Sequence, residues 1–212
     1  MPASTTSSSI SPATLVGMRE VPAEMAANLH KAADALLASF EDVQMHDIAA
    51  AAGVARSSLY YYFANKDDVL AYLLRSMLHE LNAATSDAAA GPGNPSERLS
   101  AVIRAQLSLL NDHPAASQQL IANLGRAGQL PDIAAQVHEG FEVPVRQLLA
   151  EGAADGTLRP LTDEDLGATA LFGAVLVIGL RALVVDGHID VDQVMAMIGP
   201  MFWHGIAPPD AP

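Results

Sequence analysis

Arg56, Ser57, Ser58, Tyr60, Tyr61 and Tyr62, with Lys66 close behind, gather hydroxyls, a guanidinium, an ammonium and flat rings in one short run. On a helix, Leu59 and Phe63 (i, i+4) share one face, with Tyr62 beside them. The opposite face carries Arg56, Ser57, Tyr60 and Tyr61. Such a face can hydrogen-bond base edges in a groove or a row of phosphates. Catalytic arrangements find no comparable support. There is no serine elbow, no phosphate-cradling glycine loop and no carboxylate pair set by a motif. His138 with Glu142, and Asp186 with His188 and Asp190, come nearest to a ligand set, and neither has convincing metal spacing. The absence of cysteine excludes disulfide and thiolate chemistry. No catalytic residue, metal or cofactor is expected.

The residues just upstream must position this face. Ile48, Ala49 and Ala52 fall on one side of a short helix, and small alanines let a second helix approach closely. Gly53-Val54-Ala55 then fits the turn of about 3–4 residues that joins two helices crossing at roughly 90–120°. Glycine serves there because one residue of the turn can need positive φ. Met45 to Lys66 therefore reads as a helix-turn-helix, with Val54 plugging its corner.

The stretch from about residue 26 to 82 resembles the DNA-binding domain of the TetR family of bacterial transcriptional regulators. The likeness rests on Leu36-Leu37 and Phe40, His46-Asp47-Ile48-Ala49, Ala52-Gly53-Val54-Ala55, Leu59-Tyr60-Tyr61-Tyr62-Phe63 and Asn65-Lys66-Asp67. It implies that Arg56, Ser57, Ser58 and Tyr60 face base edges. Tyr61, Tyr62 and Lys66 would hold phosphates, helped by the N-terminus of the fourth helix, and His46 would stand at the front of the motif. Four features depart from the family pattern. Ala55 replaces the usual serine cap, His46 the usual arginine, Gln44 the usual threonine, and the loop after Phe40 is shorter and lacks its glycine.

The 212-residue chain has room for one or two domains. Half of it is apolar, enough for a packed core. The formal charge of −13 argues against loose nucleic-acid binding over the whole surface. From Val43 to Lys66, however, Arg56 and Lys66 outnumber Asp47, so the motif is a locally positive window on an acidic body.

Residues 1–21 are rich in Ser, Thr and Ala and read as a disordered arm without the features of a signal peptide. A first helix is expected over residues 22–40, with Ala27, Leu29, Ala33, Leu36, Leu37 and Phe40 inward. A fourth helix, N-capped by Asn65, is expected to reach Ala84. Gly91-Pro92-Gly93-Asn94-Pro95 marks the boundary. The domains are thus 22–84 (DNA-binding, motif about 45–66) and 96–206 (effector-binding and dimerisation). In the second, a helix runs from Ser96 through Leu110, and others cover 115–127, 131–152 with a kink or break at Pro144, a long apolar helix started by Thr162-Asp163-Glu164-Asp165 and ending at Val185, and a last one starting at Asp190 or Asp192 and reaching about His204. The run Leu166 to Val185 is apolar enough to consider as a membrane span. Arg181 inside it and the acidic residues before it favour a helix packed on its own domain and on a second subunit. Val194, Met195, Met197, Ile198, Met201 and Phe202 would complete a four-helix interface.

The fold expected is all-α: an N-terminal three-helix reader joined to a larger helical ligand-binding and dimerisation domain. The resemblance implies a cytoplasmic, nucleoid-associated homodimer on a palindromic DNA operator, its recognition helices about 34–36 Å apart. A small, apolar effector would release it, and no membrane is involved. The effector residues are not assigned. A helical interaction protein with a decayed reader and an enzyme using the second domain are the alternatives.

Overall fold

A computed structural model describes residues 20–124 and 135–206, the side chains of 123, 124 and 201–206 excepted. The predicted arm, the helix start at Pro131 and the side chains of Met201 and Phe202 lie outside the described residues. Among the described residues the regular elements are all helices. They are α1 (Ala23–Ala38), α2 (Met45–Ala51), α3 (Arg56–Tyr62), α4 (Lys66–Ala89), α5 (Pro95–Asp112), α6 (Pro114–Leu124), a π-helical turn (His138–Glu142), α7 (Val143–Asp155), α8 (Glu164–Val185) and α9 (Val191–Ile206). Contacts divide the chain into two compact units after Leu70, inside α4.

In the first unit, α1 buries Met25, Leu29, Leu36 and Leu37, and Phe40 follows in the turn. Ala27, expected inward, is exposed, and Ala33 is half-buried. Met25 takes the inner position because it precedes Leu29 by one helical turn, whereas Ala27 lies about 200° round from it. Ile48 and Ala49 of α2, and Ala52 at its C-cap, meet Leu59 and Phe63 in the same core, all nearly or fully sealed from solvent.

The corner between α2 and α3 is a Schellman turn. Val54 N–H donates to Ala49 O at 3.0 Å, and Gly53 N–H to Ala50 O at 3.1 Å. Gly53 supplies the left-handed residue this needs, at φ 69°. Asn28 of α1 closes the corner from outside, its amide donating to Ala52 O at 3.2 Å.

The second unit is a helical bundle. Asn94 N-caps α5 by accepting from Glu97 N at 3.0 Å, while Glu97 accepts from Asn94 N at 2.9 Å. The helix therefore starts at Pro95 rather than Ser96. It buries Leu99, Val102, Ile103, Leu107 and Leu110. Helix α4 runs to Ala89, past the expected Ala84, because nothing before Gly91 breaks it.

The expected irregularity at Pro144 takes the form of the π turn just before it. Val143 N–H donates five residues back to His138 O. Pro144 has no N–H with which to continue the ordinary ladder. Asn82 of α4 fills the space this opens: its amide donates to Gln136 O at 3.0 Å. A Cβ on Gly140 would lie 1.8 Å from the Asn82 amide carbon, so any side chain there must displace the Asn82 amide.

Helix α8 buries Ala168, Leu171, Val175, Leu176, Ala182 and Leu183 against the rest of its unit. Its other side exposes Leu166, Val177, Val184 and Val185, each more than 60% accessible. By length and composition α8 could cross a membrane; here it packs on α5, α6 and α7.

Gly53→Ala should lower unfolding stability by about 1–2 kcal/mol through the left-handed strain. Gly140→Ala should cost about 1–3 kcal/mol by overpacking. Adding Asn82→Ala to Gly140→Ala should cost less than the two single changes together. Urea unfolding of the wild type, the three single variants and the double variant tests these expectations.

Candidate nucleic-acid interface

Helix α3 is two turns long, and its inner face is Leu59 and Phe63. Its ladder starts at Ala55, whose carbonyl accepts from Ser58 N–H at 2.9 Å and Leu59 N–H at 3.1 Å. Ala55 gives no side-chain cap to the first N–H groups. Ser57 does not take over that role, because a residue inside the first turn cannot reach back as an N-cap does.

The core residues turn the polar residues outward. Arg56, Ser57, Ser58, Tyr60 and Tyr61 are exposed, the two tyrosines by 43% and 58%. Tyr62 is half-buried, so its ring is shared between core and surface. Arg56 Nη2 donates to Tyr60 Oη at 3.3 Å, and the guanidinium carbon lies 5.5 Å from the Tyr60 ring centre. This i, i+4 pair holds the guanidinium against an aromatic face. Tyr61 and Tyr62 meet edge to face, with centres 5.0 Å apart. Exposed aromatic rings so arranged have little packing purpose of their own.

The flanks of α3 are held differently. His46 is exposed at the start of α2, and its Nε2 lies 3.2 Å from Asp47 Oδ1. The other Asp47 oxygen accepts from Gln44 N–H at 2.9 Å, which supplies half of a capping box where threonine is missing. Asn65 N-caps α4 by accepting from Asp68 N–H at 3.0 Å, and Asp68 accepts from Ala64 N–H at 2.8 Å. These bonds occupy donors that the sequence offered to a phosphate. Lys66 Nζ donates to Glu41 O at 2.8 Å and Phe40 O at 3.1 Å.

The structure thus brings Arg56, Ser57, Ser58, Tyr60 and Tyr61 onto one exposed surface. It sets His46 at the start of the neighbouring helix and turns Lys66 toward the α1–α2 turn. Sequence reasoning missed Asn28, whose only signal was an amide within a largely apolar helix.

Residues 29–73 match the family model described as bacterial regulatory proteins of the tetR family. The HTH-type transcriptional repressor KstR2 of Mycobacterium tuberculosis is 30% identical over 128 residues, 58% of this chain and 62% of that protein. The match thus spans less than two thirds of the curated relative's length. The solved structure of the ketosteroid transcriptional regulator KstR2 of M. tuberculosis covers 89% of this chain and 97% of its own, at TM-score 0.69 and 25% identity. The fatty acid degradation regulator FadR of Bacillus halodurans covers 88% and 98%, at TM-score 0.74 and 20% identity. AibR, solved in complex with isovaleryl coenzyme A and operator DNA, covers 84% and 97%, at TM-score 0.66 and 23% identity. At their level of identity FadR and AibR show a shared fold.

Changing Leu59→Ala should destabilise the first unit by about 2–5 kcal/mol, because a fully buried side chain is removed. Tyr61→Ala, at an exposed position, should change stability by no more than about 0.5 kcal/mol. Thermal unfolding of both variants checks that α3 is held from its inner face alone.

Proposed function

The chain belongs to the TetR family of bacterial regulators, and from that premise we propose that it represses transcription by binding a palindromic operator as a homodimer until a small effector releases it. The observation that carries the reading is the exposed Arg56–Tyr60 pair on a helix whose opposite face is core. Arg56, Ser57, Ser58 and Tyr60 read base edges in the major groove. Tyr61, Tyr62 and His46 contact the backbone. The curated relative's name as a repressor supports repression. Regulators of this family are soluble cytoplasmic proteins, and on this reading the protein works at the nucleoid.

The effector is small and largely apolar. The neighbours' names refer to a ketosteroid regulator, fatty acid degradation and isovaleryl coenzyme A, all with apolar bodies. In the second unit Thr85 Oγ1 and Gln106 Nε2 are buried and have no hydrogen-bond partner. A buried polar atom left unpaired costs stability, and an effector's polar group would relieve that cost. The second subunit covers the exposed apolar side of α8 and Met197 of α9. An open groove of about 740 Å³ runs along this face, lined by Ile178, Ala182, Val194 and Met197, with Arg181 and Asp186 at its polar end.

A duplex enriched from a random library by the wild-type protein provides the test. Arg56→Ala should weaken binding to it by about 1–3 kcal/mol if the side chain reads a base, and should relax selectivity at one position of each half-site. The log–log salt slope of wild-type binding should be shallower than about −8, since roughly 0.9 counterions leave per phosphate contact. Unchanged binding by Arg56→Ala and Tyr60→Ala would overturn the assignment of the reading surface. Val177→Asp should convert the dimer to monomer in native mass spectrometry, with helical content retained.

A further inference from the structure

Lys66 stands where a lysine is electrostatically out of place. It begins α4, and a helix N-terminus carries the positive end of the dipole, which favours the acidic Asp67 and Asp68 beside it. The turn after α1 has the opposite need. Helices commonly end in a left-handed glycine, which lets following N–H groups satisfy the last carbonyls. Here the C-cap is Ser39 at φ −125°, and no described residue between α1 and α2 has positive φ. Asp42 and Val43 donate to Ser39 O at 3.0 and 3.2 Å, which accounts for one carbonyl. The carbonyls of Phe40 and Glu41 receive their hydrogens from Lys66, at 3.1 and 2.8 Å, across 26 and 25 residues of sequence. The ammonium also lies 5.1 Å from the centre of the buried Phe40 ring.

We infer that Lys66 is a positioning residue of the reader: its ammonium caps the shortened α1–α2 turn, and its contribution to DNA affinity runs through the pose of α2 and α3. This deepens the DNA-binding reading and rests on it for its last step. An ammonium has three hydrogens, and two are committed to the turn. The side chain thus replaces the missing glycine cap, tying the end of α1 to the start of α4 with α2 and α3 enclosed between them.

Lys66→Met removes the donors and keeps most of the stem, while Lys66→Arg keeps both charge and donors. Hydrogen exchange of the free, full-length proteins is read at the amides of Asp42 and Val43. Exchange there should be at least tenfold faster in Lys66→Met than in wild type, and restored substantially in Lys66→Arg. Unchanged exchange in Lys66→Met overturns the inference. Should Lys66→Met not fold, an exchange rate in Lys66→Arg equal to wild type supports the cap. Tenfold faster exchange in that charged, folded variant without loss of DNA affinity overturns it.

Affinity for the selected duplex is then followed from 50 to 300 mM KCl. The loss of affinity in Lys66→Met should be the same factor at every salt concentration. A slope shallower by about 0.9 would mark the loss of a direct phosphate contact and overturn the inference. If the wild-type protein enriches no duplex at all, the DNA-binding reading fails, and the exchange data alone still decide whether the cap exists.

Discussion

The reader depends on one backbone constraint, the left-handed residue at Gly53. Two seven-residue helices are too short to be stable by themselves, because helix nucleation is costly and isolated helices of this length are marginal in water. They persist because the corner sets an angle at which Ile48, Ala49 and Ala52 are buried together with Leu59 and Phe63. The alanines matter as much as the glycine. A larger side chain at 49 or 52 would separate the helices and lift Leu59 from its site. The same burial that secures α3 from inside forces Arg56, Ser57, Tyr60 and Tyr61 outward. Exposure of the polar face is therefore a consequence of packing, and recognition needs no separate device to present it.

Electrostatics then limits how this surface can work. A chain of formal charge −13 repels a phosphate backbone at long range. The reader opposes this with few cations, and Lys66 is already bonded to two carbonyls. Asp47 lies beside His46, and Asp67 and Asp68 sit in the first turn of α4. On the proposed DNA-binding reading, little of the binding free energy comes from counterion release. More comes from close contact in the groove, where hydroxyls, rings and a guanidinium work over short distances and salt screens them less. On that reading, an acidic body with a locally positive window from Val43 to Lys66 favours discrimination over grip, because non-specific duplex offers only the weak phosphate term.

Most of the first unit was legible in the sequence because local signals agree there. Alanine spacing, the glycine and the Leu59–Phe63 pair all point to one geometry. Errors arose where two local readings were close in energy or where the partner was distant. Ala27 and Met25 both suit a helix interior, and only packing selects the longer side chain. Ser96 and Asn94 can each cap a helix; Asn94 wins because Glu97 returns a bond to its backbone and Pro95 fits the first turn. The π turn needed both a local cause, Pro144, and a distant one, the Asn82 amide lodged against Gly140. Periodicity carries no record of the second. The Lys66 contacts were hidden in the same way. A family pattern places a cation near DNA, but the two carbonyls that hold it come from a turn 25 residues earlier.

Helix α8 shows why composition alone could not separate a membrane span from a core helix. Its apolar character is continuous around the axis, so no amphipathic signal distinguishes an inner side. The structure supplies the distinction through the glycines of α8 and through Arg181, the one charge between Leu166 and Val185. Gly179 lies where a Cβ would come within 3.0 Å of Leu110, so that position faces α5. Gly173 has no atom within 4 Å of its would-be Cβ, and so faces away. Arg181, on the exposed side, pairs with Asp186 at 3.3 Å just beyond the helix end. A lipid-facing helix would place that pair at large cost, whereas a helix between two protein surfaces can keep it at a wet rim. Exposed Val177 and Val184 are separated by seven residues, so they lie on one stripe two turns apart. A stripe of that kind, bordered by an ion pair, has the chemistry of a protein interface: apolar where water is excluded and charged where it is not.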